Sequence, residues 1–123
     1  MPKKVLIVDD DPILRKTVQT ALQAEKYKVV VAPDAMGALT QTRNEKPDLI
    51  ILDLGLPAGG GFTFLDRLKH FPAFAATPII VVSGQDRSVA EPRAKEAGVM
   101  MYLEKPLPPQ KIVEHVKSII GDA

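Results

Sequence analysis

The sequence predicts a doubly wound α/β domain, in which helices cover both faces of a parallel β-sheet. Four short runs rich in β-branched residues and a weaker fifth run recur along the chain, and each is apolar throughout, as strands buried on both faces are. Segments with helical periodicity separate these runs, and strands that alternate with helices build a parallel sheet. The 123 residues, 46% of them hydrophobic and 25% charged, match the length and composition of one globular domain.

The five predicted strands alternate with five predicted helices. The strands are expected at residues 5–8, 29–31, 49–52, 79–82 and 100–103. Three helices are indicated by apolar residues that share one helical face. These faces comprise Leu14, Val18, Ala21 and Leu22, then Ala35, Ala38, Leu39 and Thr42, and finally Ile112, Val116, Ile119 and Ile120. The other two helices are expected to run from about Phe62 to near Pro72, and over residues 89–97 up to Gly98.

Charge and composition exclude several classes of function. The net charge of +1 provides no field that would attract nucleic acid or an anionic membrane. The chain has no cysteine, which rules out disulfides, zinc fingers and thiol catalysis. The apolar run before the first acids is too short for a signal peptide or a membrane span. We therefore expect a cytoplasmic protein that binds neither nucleic acid nor membrane.

Polar residues cluster where the predicted strands end. In the order of the chain they are Asp9, Asp10, Asp11, Asp53, Ser83 and Lys105. Ligands of doubly wound sheets bind outside the carboxyl ends of the strands, where the strand order reverses, so these side chains are expected at one rim. Gathered carboxylates repel one another unless a cation joins them, and Mg²⁺ binds through a few carboxylates, waters and phosphate oxygens. A lysine and a hydroxyl beside them fit phosphate chemistry, in which a carboxylate such as Asp53 acts as the nucleophile.

Four motifs, in this order and at this spacing, resemble the receiver domain of bacterial two-component response regulators. They are VLIVDDDP, DLIILDLGLP, PIIVVSG and AGVMMYLEKP, and together they span nearly the whole chain. The resemblance implies a flavodoxin-like sheet with strand order 2-1-3-4-5. It also implies that residues 1–123 form one receiver domain with no output domain. The chain is then either a stand-alone receiver similar to those of chemotaxis or the N-terminal piece of a longer regulator.

The resemblance further implies a role for each residue at the rim. Asp53 is expected to be the phosphoacceptor. Asp9 and Asp10 are expected to hold Mg²⁺, or Mn²⁺, together with Asp53 and the backbone carbonyl of Gly55. Asp10 is the more direct ligand of the first two. The domain would then catalyse only its own phosphorylation and dephosphorylation.

Two further residues are implied to contact the phosphoryl group, and one to report its arrival. Ser83 and Lys105 are expected to bind the phosphoryl oxygens, and Ser83 and Tyr102 to act as the switch. A sensor histidine kinase or phosphotransfer protein would supply the phosphoryl group. The surface of the fourth helix, fifth strand and fifth helix would then meet a downstream protein target or output domain, or form a homodimer.

Some residues near the motifs have a structural interpretation instead. Asp11 precedes Pro12 at a predicted helix start, so its carboxylate is expected to cap the first helix. Ser88 and Glu91 have the spacing of a capping box, which would place Pro92 in or just beyond the first turn of the fourth helix. Residues 59–61, Gly-Gly-Gly, lack the lysine of a P-loop and are interpreted as a flexible loop before the third helix.

Three alternative functions share features of this sequence. A flavin-binding module has the same layers, but three aspartates after the first strand would repel the phosphate of FMN. An aspartate-nucleophile phosphatase would carry its nucleophile after the first strand and would need room for a cap domain. A phosphorylation-independent scaffold with a receiver fold is the third alternative, and the presence of Asp9, Asp10, Asp53, Ser83 and Lys105 argues against it.

Overall fold

The computed structural model describes residues 2–123, and it contains five strands and five α-helices in alternation. The strands are β1 (Lys4–Val8), β2 (Lys28–Ala32), β3 (Leu49–Leu52), β4 (Ile79–Ser83) and β5 (Met101–Glu104). The helices are α1 (Pro12–Ala24), α2 (Ala35–Glu45), α3 (Gly60–Leu68), α4 (Arg87–Glu96) and α5 (Pro109–Ile120). Short 3-10 turns lie at Pro57–Gly59 and Pro72–Phe74. The predicted alternation is confirmed.

All neighbouring strands are parallel, and their order is β2-β1-β3-β4-β5. This is the doubly wound, flavodoxin-like order that was predicted. In the register of the central strands, Val8 pairs with Leu52. The chain order reverses between β1 and β3, so the residues just past Val8 and Leu52 lie at the topological switch point.

Side chains of the sheet alternate between two buried layers. One layer contains Leu6, Ile50 and Val81 and packs against α2, α3 and α4, whereas the other contains Ile7, Ile51 and Val82 and packs against α1 and α5. Successive residues of a strand point to opposite faces, so a strand covered on both faces must be apolar at every position. Burial of each Leu or Ile side chain contributes about 1.5 to 3 kcal/mol. The continuous apolar runs of the sequence therefore indicated the two-sided core correctly.

The start of α4 corrects one prediction. Its N-cap is Asp86, whose side chain accepts the Ser88 N–H at 3.0 Å, so Ser88 lies inside the helix and the Ser88–Glu91 capping box is wrong. Glu91 instead pairs with Arg87 one turn earlier, at 2.9 Å. Pro92 consequently lies in the helix interior, where it cannot donate the usual bond to the carbonyl four residues back.

Two of the three glycines after β3 lie in α3 rather than in a loop. Gly59 has the left-handed φ of +70° at the start of α3, and Gly60 and Gly61 are the first residues of that helix. A Cβ on Gly61 would lie 2.8 Å from the Cα of Leu54, closer than side chains tolerate. Gly61 therefore allows α3 to approach the end of β3, and the loop interpretation is wrong for Gly60 and Gly61.

None of the helices formed by residues 2–123 has both the length and the apolar character needed to cross a bilayer.

Candidate functional site

Each polar residue of the rim is positioned by backbone bonds that extend the sheet past the strands. The Asp9 N–H donates to the Ala32 carbonyl at 3.1 Å, and the Asp53 N–H donates to the Val8 carbonyl at 2.9 Å. The Lys105 N–H donates to the Ser83 carbonyl at 2.8 Å. The predicted site residues are thus held at the carboxyl edge of β1, β3, β4 and β5.

Asp9, Asp53 and Lys105 form a contiguous charged group at this edge. Lys105 Nζ lies 3.4 Å from Asp53 Oδ2 and 3.6 Å from Asp9 Oδ2. Both aspartates are only 8% exposed, and the Lys105 side chain is 26% exposed. One ammonium therefore faces two nearly buried carboxylates, which leaves a negative charge in excess.

The third carboxylate of the site comes from Asp10. One oxygen each from Asp9, Asp10 and Asp53 lies within 4.8 Å of the others, and Asp10 is exposed whereas the other two are buried. Carboxylate oxygens at this spacing are hard ligands of the kind that Mg²⁺ and Mn²⁺ prefer. The donor set fits a divalent cation that reaches the site from solvent past Asp10.

Burial raises the pKa of Asp9, and the neighbouring carboxylates of Asp53 and Asp10 raise it further. The N–H of Asp11, which donates to Asp9 Oδ1 at 2.9 Å, and the ammonium of Lys105 act in the opposite direction. The net upward direction indicates that the charges of the site are incompletely compensated. A bound cation would stabilise the ionised form of Asp9.

Local hydrogen bonds orient the carboxylate of Asp53. The Gly55 N–H donates to Asp53 Oδ1 at 2.9 Å, while Oδ2 faces Lys105. A Cβ on Gly55 would lie 3.4 Å from Oδ1 and 3.6 Å from Oδ2, so any side chain at this position would lie against the carboxylate. Glycine therefore keeps this side of Asp53 open.

Ser83 and Tyr102 lie near the site on β4 and β5, and both are buried. Ser83 is fully buried and its Oγ accepts the Gln85 N–H at 3.0 Å. Tyr102 pairs in register with Val81, is 3% exposed, and belongs to the layer that packs against α2, α3 and α4. Its ring is thus already inside in this structure.

Asp11 is separated from the metal-binding geometry by its hydrogen bonds. Its Oδ1 accepts the N–H of Ile13 at 2.9 Å and that of Leu14 at 3.4 Å, which makes it the N-cap of α1. Pro12 occupies the first helical position, where its missing N–H costs nothing. The structure confirms the predicted N-cap role of Asp11.

Sequence reasoning missed two arginines that contact these residues. Arg15 Nη1 donates to the carbonyl of Asp9 at 2.8 Å. The guanidinium carbon of Arg87 lies 5.6 Å from the centre of the Tyr102 ring. Arg15 lies one turn past Asp11 on a predicted helix, so the sequence could have indicated that it lies near the site. No pattern in the sequence predicts the contact between Arg87 and Tyr102.

A cavity of about 390 Å³ adjoins the site between α1 and α5. Asp9, Asp53 and Lys105 contribute to its lining, and its remaining walls are mostly apolar, with Leu14 from α1 and Ile112 from α5 among them. The charged group therefore has solvent on one side and an apolar wall on the other. A low-polarity wall strengthens the electrostatic interactions beside it.

The parallel sheet with a carboxylate cluster and a paired lysine at its switch point matches the arrangement that the resemblance to receiver domains predicted. The chain belongs to the response regulator receiver domain family, since a family model of that description matches residues 5–117. The resemblance inferred from the four sequence motifs is confirmed.

Curated relatives include both short and longer regulators. The chain is 31% identical to the polar-differentiation response regulator DivK of Brucella anthropi, over the full length of both proteins. It is 39% identical over 102 residues to the KDP operon transcriptional regulatory protein KdpE of Escherichia coli. That alignment covers 83% of this chain but only 44% of KdpE, so the chain spans less than half of that relative.

Solved receiver structures have the same fold. The chemotaxis protein CheY4 of Vibrio cholerae superposes with a TM-score of 0.91 at 28% identity, covering 98% of this chain and all of CheY4. A CheY-like receiver domain protein of Methanospirillum hungatei gives a TM-score of 0.87 at 28% identity, covering 96% and 93% of the two chains. The match extends over nearly the whole domain, including every strand that carries a site residue.

Proposed function

We propose that this receiver domain accepts a phosphoryl group on Asp53 in a reaction that depends on Mg²⁺. The observation that carries the proposal is the position of the Asp53 carboxylate, which lies within 4.8 Å of two further carboxylates and 3.4 Å from an ammonium. This arrangement supports the proposal because phosphoryl transfer to a carboxylate requires a nucleophile, a cation site and a cationic phosphate ligand at one point.

A histidine kinase, a phosphotransfer protein or a small phosphodonor would supply the phosphoryl group. An oxygen of Asp53 attacks the phosphorus, and the bond between phosphorus and the donor nitrogen or oxygen breaks, leaving its electron pair on the donor. The product is an aspartyl phosphate. Asp53 needs no general base, because its carboxylate is the reactive form.

The cation, when bound, supplies positive charge that neutralises the donor's phosphate oxygens. Asp9, Asp10 and Asp53 would hold it, with the Gly55 carbonyl as a further ligand. This chain's own contribution is to orient the Asp53 carboxylate through the Gly55 N–H and to offer Lys105 as a second positive partner for the phosphoryl group. Positioning and electrostatic stabilisation of this kind account for most of the catalysis of phosphoryl transfer.

We infer that Ser83 and Lys105 bind the new phosphoryl oxygens. Hydrogen bonds to charged groups contribute about 1.5 to 3 kcal/mol each, and a shift from mostly one state to mostly the other requires about 5.5 kcal/mol. Two such bonds together contribute about 3 to 6 kcal/mol, which reaches the required magnitude at the upper end of that range. The Ser83 hydroxyl would donate to a phosphoryl oxygen, either in place of or in addition to accepting the Gln85 N–H as it does in this structure.

The surface formed by α4, β5 and α5 is proposed to carry the signal to a target, an output domain or a second copy of the chain. The proposed route from the site to this surface runs through Ser83 on β4 and Tyr102 on β5. Val89 on α4 is 70% exposed, and Met100, directly before β5, is 53% exposed. Both provide apolar contact points on this surface.

The proposal is tested by incubating the protein with acetyl phosphate in Mg²⁺ and in excess chelator, and measuring intact mass. A gain of one phosphoryl group in Mg²⁺ but not in chelator supports it. No gain in Mg²⁺, with acetyl phosphate and with a set of histidine kinases, would favour the phosphorylation-independent scaffold. Sustained hydrolysis of a generic phosphate monoester would instead favour the phosphatase.

A further inference from the structure

Arg87, the first residue of α4, contacts Tyr102 on β5 in two ways. Its guanidinium carbon lies 5.6 Å from the centre of the Tyr102 ring, within the range of a cation–π interaction. Its Nη2 lies 3.5 Å from the Tyr102 carbonyl, a long hydrogen bond. The arginine therefore covers the solvent side of a tyrosine that is only 3% exposed.

Two carboxylates determine how the guanidinium of Arg87 is oriented. Its Nε and Nη2 donate to the two oxygens of Glu91, at 2.9 and 3.3 Å, and its Nη1 lies 3.9 Å from Glu104 Oε2. Exposed ion pairs of this kind contribute little to stability. Here the two carboxylates fix the orientation of the guanidinium, because a planar group that is paired on both sides presents its face to the Tyr102 ring.

The inward position of Tyr102 is opposed by its own hydroxyl. Among residues 2–123, the hydroxyl of Tyr102 is the buried side-chain polar atom that has no hydrogen-bond partner. A buried donor without a partner loses the hydrogen bonds that water would provide. Burial of the ring favours the inward position and the hydroxyl disfavours it, so an added contact is able to decide between them.

We propose that Arg87 is a positioning residue that holds Tyr102 inward before any phosphoryl group is present. Arg87 lies four residues after Ser83, so the same residue connects the segment after β4 to the ring on β5. Movement of Ser83 toward a phosphoryl group would then change the Arg87 contact and, through it, the freedom of Tyr102. This second step rests on the proposed function, whereas the resting contact does not.

The chain offers a matched control on the same helix. Arg93 of α4 lies with its guanidinium carbon 3.8 Å from the centre of the Phe62 ring. Arg87→Gln and Arg93→Gln remove the same charge and the same type of contact from one helix, but only Arg87 contacts Tyr102. Arg87→Lys keeps the positive charge and loses the planar guanidinium, so it distinguishes the effect of the charge from that of the planar shape.

The test is fluorine NMR of protein labelled with fluorotyrosine, with Tyr27→Phe used to assign the two tyrosine signals. Solvent exposure of Tyr102 is measured from the difference in its shift between H₂O and D₂O. Arg87→Gln is expected to move the ratio of inward to outward ring roughly three- to tenfold toward outward, the size expected for loss of one cation–π contact. Arg87→Lys should fall between Arg87→Gln and wild type, and Arg93→Gln should match wild type.

The proposal is overturned if Arg87→Gln leaves the Tyr102 signal as in wild type, or if Arg93→Gln changes it equally. Both measurements are made without a phosphodonor, so they do not depend on whether Asp53 is phosphorylated. Adding Mg²⁺ and beryllofluoride, a phosphoryl analogue, then tests the coupling. The response of Tyr102 should be smaller in Arg87→Gln than in wild type, because the contact that carries the coupling is absent, and an equal response would overturn the coupling alone.

Discussion

The Nζ of Lys105 lies 3.4 Å from Asp53 Oδ2, and this pair joins the ends of two strands that are not neighbours in the sheet. β4 lies between β3 and β5, so the lysine reaches across it to the carboxylate. The same ammonium is 3.6 Å from Asp9. Lys105 therefore occupies the centre of the site and competes with any cation for the same carboxylates.

Replacement of Lys105 should separate cation binding from phosphoryl transfer. In Lys105→Met, loss of a neighbouring positive charge should raise Mg²⁺ affinity by about threefold or more, while loss of a charged phosphoryl contact should slow phosphorylation about tenfold or more. Mg²⁺ titration and the rate of mass gain in acetyl phosphate measure the two effects. Lys111→Met, which removes an exposed lysine of α5 paired with Glu114, is the control and should change neither. A parallel fall in affinity and rate would contradict this account of Lys105.

Asp9 should make the metal-free protein more stable as the pH falls. Burial holds its pKa above the ordinary value of 3.8, so the folded state binds this proton more tightly than the unfolded chain. Its contribution is fully present below the unfolded pKa and is lost as the pH rises through the folded pKa. Denaturant unfolding in chelator, from neutral pH down to the ordinary pKa of 3.8, should show that wild type gains stability relative to Asp9→Asn. An identical pH dependence for the two proteins would contradict the raised pKa.

The two exposed aspartates after Asp9 should behave differently. Asp10→Asn removes one of three clustered carboxylates and should weaken Mg²⁺ binding about tenfold or more. Asp11→Asn keeps an N-cap acceptor and should leave both binding and stability nearly unchanged, whereas Asp11→Ala should cost about 1 kcal/mol of unfolding free energy. Mg²⁺ titration and urea denaturation distinguish these outcomes. Equal loss of Mg²⁺ affinity in Asp10→Asn and Asp11→Asn would refute the division of roles.

Gly61 should tolerate no side chain. In Gly61→Ala the new Cβ would lie 2.8 Å from the Cα of Leu54, so α3 must shift and the unfolding free energy should fall by about 1 to 3 kcal/mol. Gly84→Ala is the control, since nothing lies within 4 Å of its added Cβ, and its stability should be unchanged or up to about 1 kcal/mol higher. Urea denaturation of both variants is the measurement. Equal stabilities would show that α3 is not fixed against β3.

Much of this molecule could be predicted because its signals are local. Runs such as Leu49–Leu52 are apolar at every position, which identifies strands covered on both faces without knowledge of their neighbours. Asp53 follows such a run directly, and Lys105 follows residues 100–103 after one intervening residue, Glu104, so assignment of the strands placed both at one edge. The Asp11–Pro12 pair likewise indicates a helix start by itself, without knowledge of any distant contact.

The contacts that the sequence did not reveal depend on tertiary packing. The approach of Gly61 to Leu54 is set by how α3 packs on the sheet, and the contact of Arg87 with Tyr102 joins α4 to β5. The spacing of these residues in the chain carries no signal of either contact. The N-cap of α4 was missed for a different reason, because Asp86 and Ser88 are two local cap candidates and Glu91 pairs with Arg87 instead of Ser88.

The central claim is that Asp53 is the residue that accepts the phosphoryl group. Its most direct test is to phosphorylate the protein with acetyl phosphate and Mg²⁺, reduce the acyl phosphate with borohydride, and map the modified peptide by mass spectrometry. The account predicts conversion at position 53 in wild type and none in Asp53→Asn. Conversion at Asp9 or Asp10 with position 53 unmodified, or equal conversion in Asp53→Asn, would contradict it.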